Sequence, residues 1–273
     1  MVSRRTACLK WASIFLASAL LTACASSPRQ RSRGDLRFDT ETVTRIRHAA
    51  SATKSVSGIA PTATRAVASN LARFAPGITA LLESEDQVST FEERLVDCAR
   101  QAEREVNSAH FGDRPPTRQE CGEELDVDGC GKSITRAMLL GQQKHALALR
   151  CAHDILKELW PAPFSLEQRY RYYPNAQFLE FVSQEDEKRL MAQDCTKDLW
   201  RTIKPDIVLH ADRNLLRAEV VLDFKFPCPD TNEPRWKEYG EDSAYADSNQ
   251  GEVYRKALGG EALIISPRRG VTR

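Results

Sequence analysis

Two carboxylates and one ammonium are where the chain could do chemistry. Pro205-Asp206 precedes the apolar triplet Ile207-Val208-Leu209, and Asp223-Phe224-Lys225 lies near the end of the run from Leu215 to Phe226. In a strand, residues two apart point to the same face, so Asp223 and Lys225 would be aimed into one cleft. A hard divalent cation takes oxygen ligands, and Mg²⁺ keeps several of its waters. Two aspartates could hold Mg²⁺ or Mn²⁺ beside a phosphate. The ion would lower the pKa of a bound water and offset developing charge, and the ammonium would orient that water or neutralise the transition state. Asp223 and Lys225 could instead be a solvated strand edge. Their neighbours Val220, Val221, Leu222, Phe224 and Phe226 argue against that, because a charged pair in an apolar strand is costly unless paired or metal-bound.

Asp-x-Lys alone carries little information. A chain of 273 residues holds roughly one or two such triplets by chance. Asp186-Glu187-Lys188 is a second instance, set aside because a charged helical stretch surrounds it. Two further patterns add weight. Gln250 and Tyr254 stand four apart, on one face of a helix. Upstream, Gly141-Gln142-Gln143-Lys144-His145 ends in a potential metal ligand. Singly, His145 is equally an ordinary core or surface histidine, and Tyr254 an ordinary packing residue.

These side chains need elements to position them. Val88, Phe91, Leu95, Cys98 and Ala102 recur at helical spacing within 83–106. The Gly- and Pro-containing stretch 111–131 is expected to be a loop, pinned by a disulfide. Residues 134–160 form a long helical pattern stopped by Pro161 and Pro163. Then come a β-like stretch over 170–182 around Pro174-Asn175, a polar helix over 184–193, strands at 207–209 and 215–226, a helix over 248–258 closed by Gly259-Gly260, and a buried strand at 262–266. The order predicts an α/β (α+β) fold with an αβββαβ core and a helical N-terminal extension. No internal repeat is visible.

Those motifs resemble the PD-(D/E)XK, RecB-like nucleases of restriction-endonuclease-like fold, over roughly residues 134–270. The resemblance implies that His145, Asp206 and Asp223 bind Mg²⁺ or Mn²⁺, that Lys225 is the catalytic ammonium, and that Gln250 and Tyr254 support the site and contact substrate. It also implies nucleic acid, DNA foremost, as the partner. Phe226-Pro227-Cys228-Pro229, Trp236 and Ser266-Pro267-Arg268-Arg269-Gly270 are similar to nuclease toxin domains at the C-termini of bacterial polymorphic toxins. Arg268 and Arg269 suit phosphate contact or simple solvation.

The N-terminus tells a separate story. Arg4, Arg5 and Lys10 precede the apolar run Trp11 to Leu21, too short to span a bilayer and shaped like a signal peptide. Leu21-Thr22-Ala23-Cys24 resembles a bacterial lipobox, which implies cleavage after residue 23 and lipidation of Cys24. Ala25 in the next position favours the outer membrane. Removing residues 1–23 takes away three cations and shifts the formal charge from +1 to −2, so no overall basic field drives nucleic-acid binding. Residues 24–80 are expected to be a flexible tether, 81–131 a cysteine-containing extension and 132–273 the nuclease-like domain. Hydrophobic residues at 41% and charged residues at 28% are ordinary for a folded protein.

Export makes disulfides the expected state of Cys98, Cys121, Cys130, Cys151, Cys195 and Cys228. Cys228 has Cys151 and Cys195 as candidate partners. No Cys-x-x-Cys pair supports zinc. A nuclease on a lipid anchor resembles lipoprotein toxins exchanged between outer membranes, which implies delivery to neighbouring cells and a cognate immunity protein. The alternatives are a non-catalytic envelope-binding lipoprotein with a degenerate nuclease fold and a periplasmic scavenging nuclease.

Overall fold

A computed structural model describes residues 69–112, 114–129, 131–192 and 199–273. The signal-like segment, Cys24 and most of the expected tether, together with Cys130 and Cys195, lie outside the described residues. Among the described residues no helix is long and apolar enough to cross a membrane.

Two long helices cover one face of the central sheet. Helix α3 (Glu85–Phe111) begins where the Ser84 side chain accepts from Gln87 N–H, with Glu85 and Asp86 in its first turn; acceptor and acids suit the positive end of a helix. Its buried stripe is Val88, Phe91, Leu95, Cys98, Ala99, Ala102 and Val106. Helix α5 (Arg136–Leu159) is capped by Thr135 and ends at Trp160, directly before Pro161. Two short helices, α1 (Asn70–Phe74) and α2 (Gly77–Leu82), precede them and bury Leu71, Ile78 and Leu82 in the same core. The last residues of the expected tether are therefore part of the folded body. The stretch expected as a separate extension also shares that core with α5 and the sheet, and a disulfide joins Cys98 of α3 to Cys151 of α5.

The expected loop over 111–131 contains more structure than its Gly and Pro content announces. A capping box between Thr117 and Glu120 opens the short helix α4 (Arg118–Gly122), and β1 (Glu124–Val127) pairs antiparallel with β2 (Ser133–Thr135). The expected pin is present: Cys121 of α4 is bonded to Cys228. Cys228 thus pairs with neither Cys151 nor Cys195. The two disulfides point to an oxidising compartment.

The protein is an α+β molecule built on a mixed five-stranded sheet. The strands are β3 (Phe164–Leu166), β7 (Ile207–Leu209), β8 (Val220–Phe224), β9 (Glu261–Ser266) and β10 (Gly270–Thr272), in the order β10-β9-β8-β7-β3. Only the β8–β9 pair is parallel. Its crossover carries helix α7 (Gln250–Leu258), as parallel neighbours require. The hairpin expected to supply the first core strand stands apart. β4 (Tyr170–Tyr173) and β5 (Phe178–Phe181) join β6 (Thr202–Ile203) in a separate three-stranded sheet, and helix α6 (Gln184–Ala192) follows β5. Phe164–Leu166 takes the core position instead. Three residues after two prolines show no periodicity of their own; their ladder with Ile207–Leu209 makes them a strand.

Every residue of β8 is buried, and alternate residues serve different cores. Val220, Leu222 and Phe224 pack towards α3 and α5. Val221 packs towards α7, with Val253, Tyr254 and Leu258. By the same alternation Asp223 and Lys225 face α7.

The turn from α7 into β9 tolerates one residue type. Gly260 has φ +65°, and a Cβ there would lie 2.4 Å from the Glu219 carbonyl oxygen. Gly260→Ala is expected to cost roughly 2–3 kcal/mol, measured by urea unfolding. Unchanged stability would mean that the backbone relaxes freely at this corner.

Candidate active site

Antiparallel pairing brings the two aspartates together. Ile207 is paired with Leu222, so Asp206, just before β7, and Asp223, near the end of β8, meet at one end of the sheet. The Phe224 N–H donates to Asp206 Oδ2 at 2.7 Å. His145 Nδ1 lies 3.0 Å from the same oxygen, carried there by α5, and its ring meets Phe226 edge-on at 5.3 Å.

Lys225 and Asp223 form the centre of a closed network. Lys225 Nζ is 2.5 Å from Asp223 Oδ2 and donates to Gln250 Oε1 at 2.7 Å. The other end of that amide donates to the Tyr254 hydroxyl at 2.6 Å. Tyr254 in turn has Asp223 Oδ1 and the Lys204 carbonyl oxygen both at 3.3 Å as acceptors for its one proton. The helix spacing that puts Gln250 and Tyr254 on one face therefore completes a ring: ammonium, amide, hydroxyl, carboxylate. Asn249 caps the helix by accepting from Glu252 N–H and sets Gln250 as its first residue.

Trp236 also belongs to the site. Lys225 Nζ lies 5.5 Å from its ring centroid, within cation–π range, and its edge meets Tyr254 at 5.9 Å. Gly251 makes this possible, since a Cβ there would stand 2.5 Å from the indole. The sequence shows Trp236 but not its role. The only local signal is the glycine beside Gln250 at the start of a helix, where an alanine would suit the helix better.

Burial and mutual charge shape the electrostatics. Asp223 is 2% exposed. Burial, then the Asp206 charge, push its carboxyl up to about 6 against the opposing pull of Lys225. Burial lowers the His145 pKa, but its hydrogen bond to Asp206 and the nearby carboxylate charges outweigh burial and raise it overall. Burial and the two carboxylates hold the Tyr254 hydroxyl well above its ordinary value, so it acts as a donor. The two neighbouring carboxylates raise one another's cost of ionisation, which Lys225 and His145 offset in the free protein and which a bound cation would also offset.

All six expected site residues, His145, Asp206, Asp223, Lys225, Gln250 and Tyr254, fall in this one cluster. The second Asp-x-Lys triplet does not. Asp186 pairs with Arg189 on its own helix and with Ser183 just before it, and Glu187 pairs with Arg169 and Lys204. The fit to a metal ion has two sides. Among the described residues no group of three or more His, Cys, Asp or Glu side chains is arranged to enclose an ion; Asp206 is engaged with His145, and Asp223 with Lys225. The donors themselves, two carboxylates and an imidazole at one sheet end, suit a divalent cation such as Mn²⁺ or Mg²⁺. Against family models, characterised proteins and solved structures, the chain finds no match.

Proposed function

We propose that this chain is a metal-dependent nuclease of restriction-endonuclease-like fold, exported as an outer-membrane lipoprotein anchored through Cys24 and acting as a toxin in neighbouring cells. The observation that carries this reading is the closed network of Lys225, Gln250, Tyr254 and Asp223 beside a second carboxylate, Asp206. The succession α5-β3-β7-β8-α7-β9 supports it, because it is the αβββαβ order that the motifs imply.

In this reading Asp206 and Asp223 hold the cation, with His145 as a third donor. When bound, Mg²⁺ or Mn²⁺ supplies an activated water and charge neutralisation at the phosphate. Lys225 carries fixed positive charge to the reacting phosphate. Gln250 holds the ammonium in place, Tyr254 holds one oxygen of Asp223, and Trp236 shields the lysine from bulk water. The Phe224 N–H keeps Asp206 Oδ2 oriented. Disulfides support export, and a toxin of this kind requires an immunity protein in the producing cell.

The test is cleavage of plasmid, single-stranded DNA and RNA by the purified full-length chain with Mg²⁺, Mn²⁺ or EDTA. Cutting with either metal and none with EDTA is the expected result, with DNA the preferred substrate. A folded chain that cuts none of the three would favour the non-catalytic envelope-binding reading, in which His145 and Lys225 serve only to neutralise the aspartates. Lethality on loss of a small adjacent gene would separate a toxin from a scavenging nuclease.

A further inference from the structure

Past the ends of β8 and β9 lies a cavity of about 240 Å³ that the proposed chemistry does not use. Its walls are the segment 227–234 after Lys225, residues 266–269 after β9, and Glu103 of α3. Lys225 N–H donates to the Ile265 carbonyl at 2.9 Å, so the cavity opens where β8 and β9 end together. Pro227 is two residues from Lys225, about 7 Å of extended chain. A nucleic-acid strand carries a phosphate per ~3.4 Å of its axis. Counted from Asp223, four residues before Pro227, the span is at most about 13 Å of extended chain, or up to about four phosphates at that spacing.

Two guanidiniums, Arg268 and Arg269, face this space, and both are more than half exposed. The protein's own carboxylates hold them. Arg268 Nη1 donates to Asp230 Oδ2 at 3.3 Å and to the Asp230 carbonyl at 3.1 Å, and Arg269 pairs with Glu233. Glu103 already has a cation beneath it: Lys144, 2% exposed, lies 3.6 Å away. The direct ion-pair partners of the arginine pair are Asp230 and Glu233, with Glu103 acting on Arg268 at longer range. Both acids ride on one segment, which Cys228 ties to Cys121. Arginine pairs suit phosphate, whose oxygens they bind in a fork, and exposed carboxylate pairs are weak enough to exchange.

We infer that Arg268 and Arg269 form a subsite for a phosphodiester of a nucleic-acid strand flanking the acidic pair, and that Asp230 and Glu233 fill it in the free protein as carboxylate stand-ins. The inference rests on the nuclease reading for its choice of ligand. Substrate binding exchanges two internal ion pairs for two phosphate contacts. That exchange tunes affinity downwards and lets a chain with no overall basic field discriminate a polyanion from single acids.

The test is fluorescence anisotropy of the full-length chain with a labelled single-stranded oligonucleotide in EDTA, at several salt concentrations. Arg268→Ala with Arg269→Ala should weaken binding about tenfold and lower the slope of log affinity against log salt by about 1. Asp230→Asn with Glu233→Gln should tighten binding roughly threefold to fivefold. Arg94→Ala, which breaks an exposed pair with Glu158 outside the cavity, should change neither. Circular dichroism confirms that each variant is folded. Affinities and slopes within error of wild type would overturn the subsite, as would an equal loss in Arg94→Ala or charge effects seen only with phosphatidylglycerol vesicles. The two readings fail separately. Cleavage without these effects removes the subsite and keeps the nuclease. These effects without cleavage keep the nucleic-acid subsite and remove the nuclease.

Discussion

Asp223→Asn is expected to lower metal-dependent cleavage by about 10³-fold or more while making the metal-free protein more stable at neutral pH. The two effects have one cause. Asp223 is buried beside Asp206, and its carboxyl is pushed up to about 6, against an ordinary 3.8. The folded state therefore holds that proton more tightly than the unfolded state does. The stability this confers is complete below about pH 4 and is lost as pH rises to about 6. Two pH units correspond to roughly 2–3 kcal/mol. The amide has no charge to desolvate, so the variant should lack this fall. His210 works in the opposite sense. It is buried, with Nδ1 2.7 Å from the Arg217 carbonyl and Nε2 3.0 Å from Ser165 Oγ, and burial lowers its pKa. Its contribution is lost as pH falls below about 6.5. It is common to both proteins and cancels in their difference. Thermal melts from pH 4 to 8, with cleavage assays alongside, check the pair of outcomes. A stable Asp223→Asn protein that still cuts at the wild-type rate would remove Asp223 from the metal site. Lys225→Ala should lose about 10²–10³-fold and keep its fold, because the lysine sits at the rim of the core.

Loss of either disulfide is the second large effect. Cys98–Cys151 spans 53 residues of sequence and Cys121–Cys228 spans 107. On chain entropy each is worth about 4–5 kcal/mol, comparable with the whole stability of many domains. Their consequences should differ. Cys98 and Cys151 clamp α3 to α5 within the core, so replacing both by alanine should lower the urea midpoint and leave the cleavage rate of the folded fraction unchanged. Cys228 is three residues from Lys225, on the segment leading to Trp236. Replacing Cys121 and Cys228 should lower both the midpoint and the rate, because the lysine loses its support. Equal rates in the two alanine pairs would show that the Lys225 network stands without the strap. Reduction with dithiothreitol should lower the urea midpoint at least as far as loss of the two disulfides among the described residues together.

Much of the site is visible in local sequence, because its spacings are those of single elements. Asp223 and Lys225 share a strand face whatever surrounds the strand, and Gln250 and Tyr254 share a helix face for the same reason. Which of two Asp-x-Lys triplets joins the cluster with Asp206 also follows locally, since one sits among β-branched and aromatic residues and the other among charges. Element boundaries are less legible. The apolar run from Leu215 predicts a long strand, but only Val220–Phe224 finds partners on both sides. The Tyr-rich stretch over 170–182 reads as β-like, yet it builds a separate sheet.

The sequence by itself determined what each element presents: the carboxylate and ammonium on β8, the amide and phenol on α7, the imidazole on α5 and the alternation that fills two cores. Only the tertiary structure decided what those groups meet. It brought His145 to Asp206 across 61 residues of chain, joined Cys228 to Cys121, made Phe164–Leu166 a core strand, laid Trp236 over Lys225 through the gap at Gly251, and set Arg268 and Arg269 against Asp230 and Glu233. The physical reason is the range of the interactions. Periodicity and capping act between residues a few positions apart, where sequence order is spatial order. Pairing across a sheet, disulfide formation and packing over a glycine depend on how separate segments dock, and docking minimises the free energy of the whole chain.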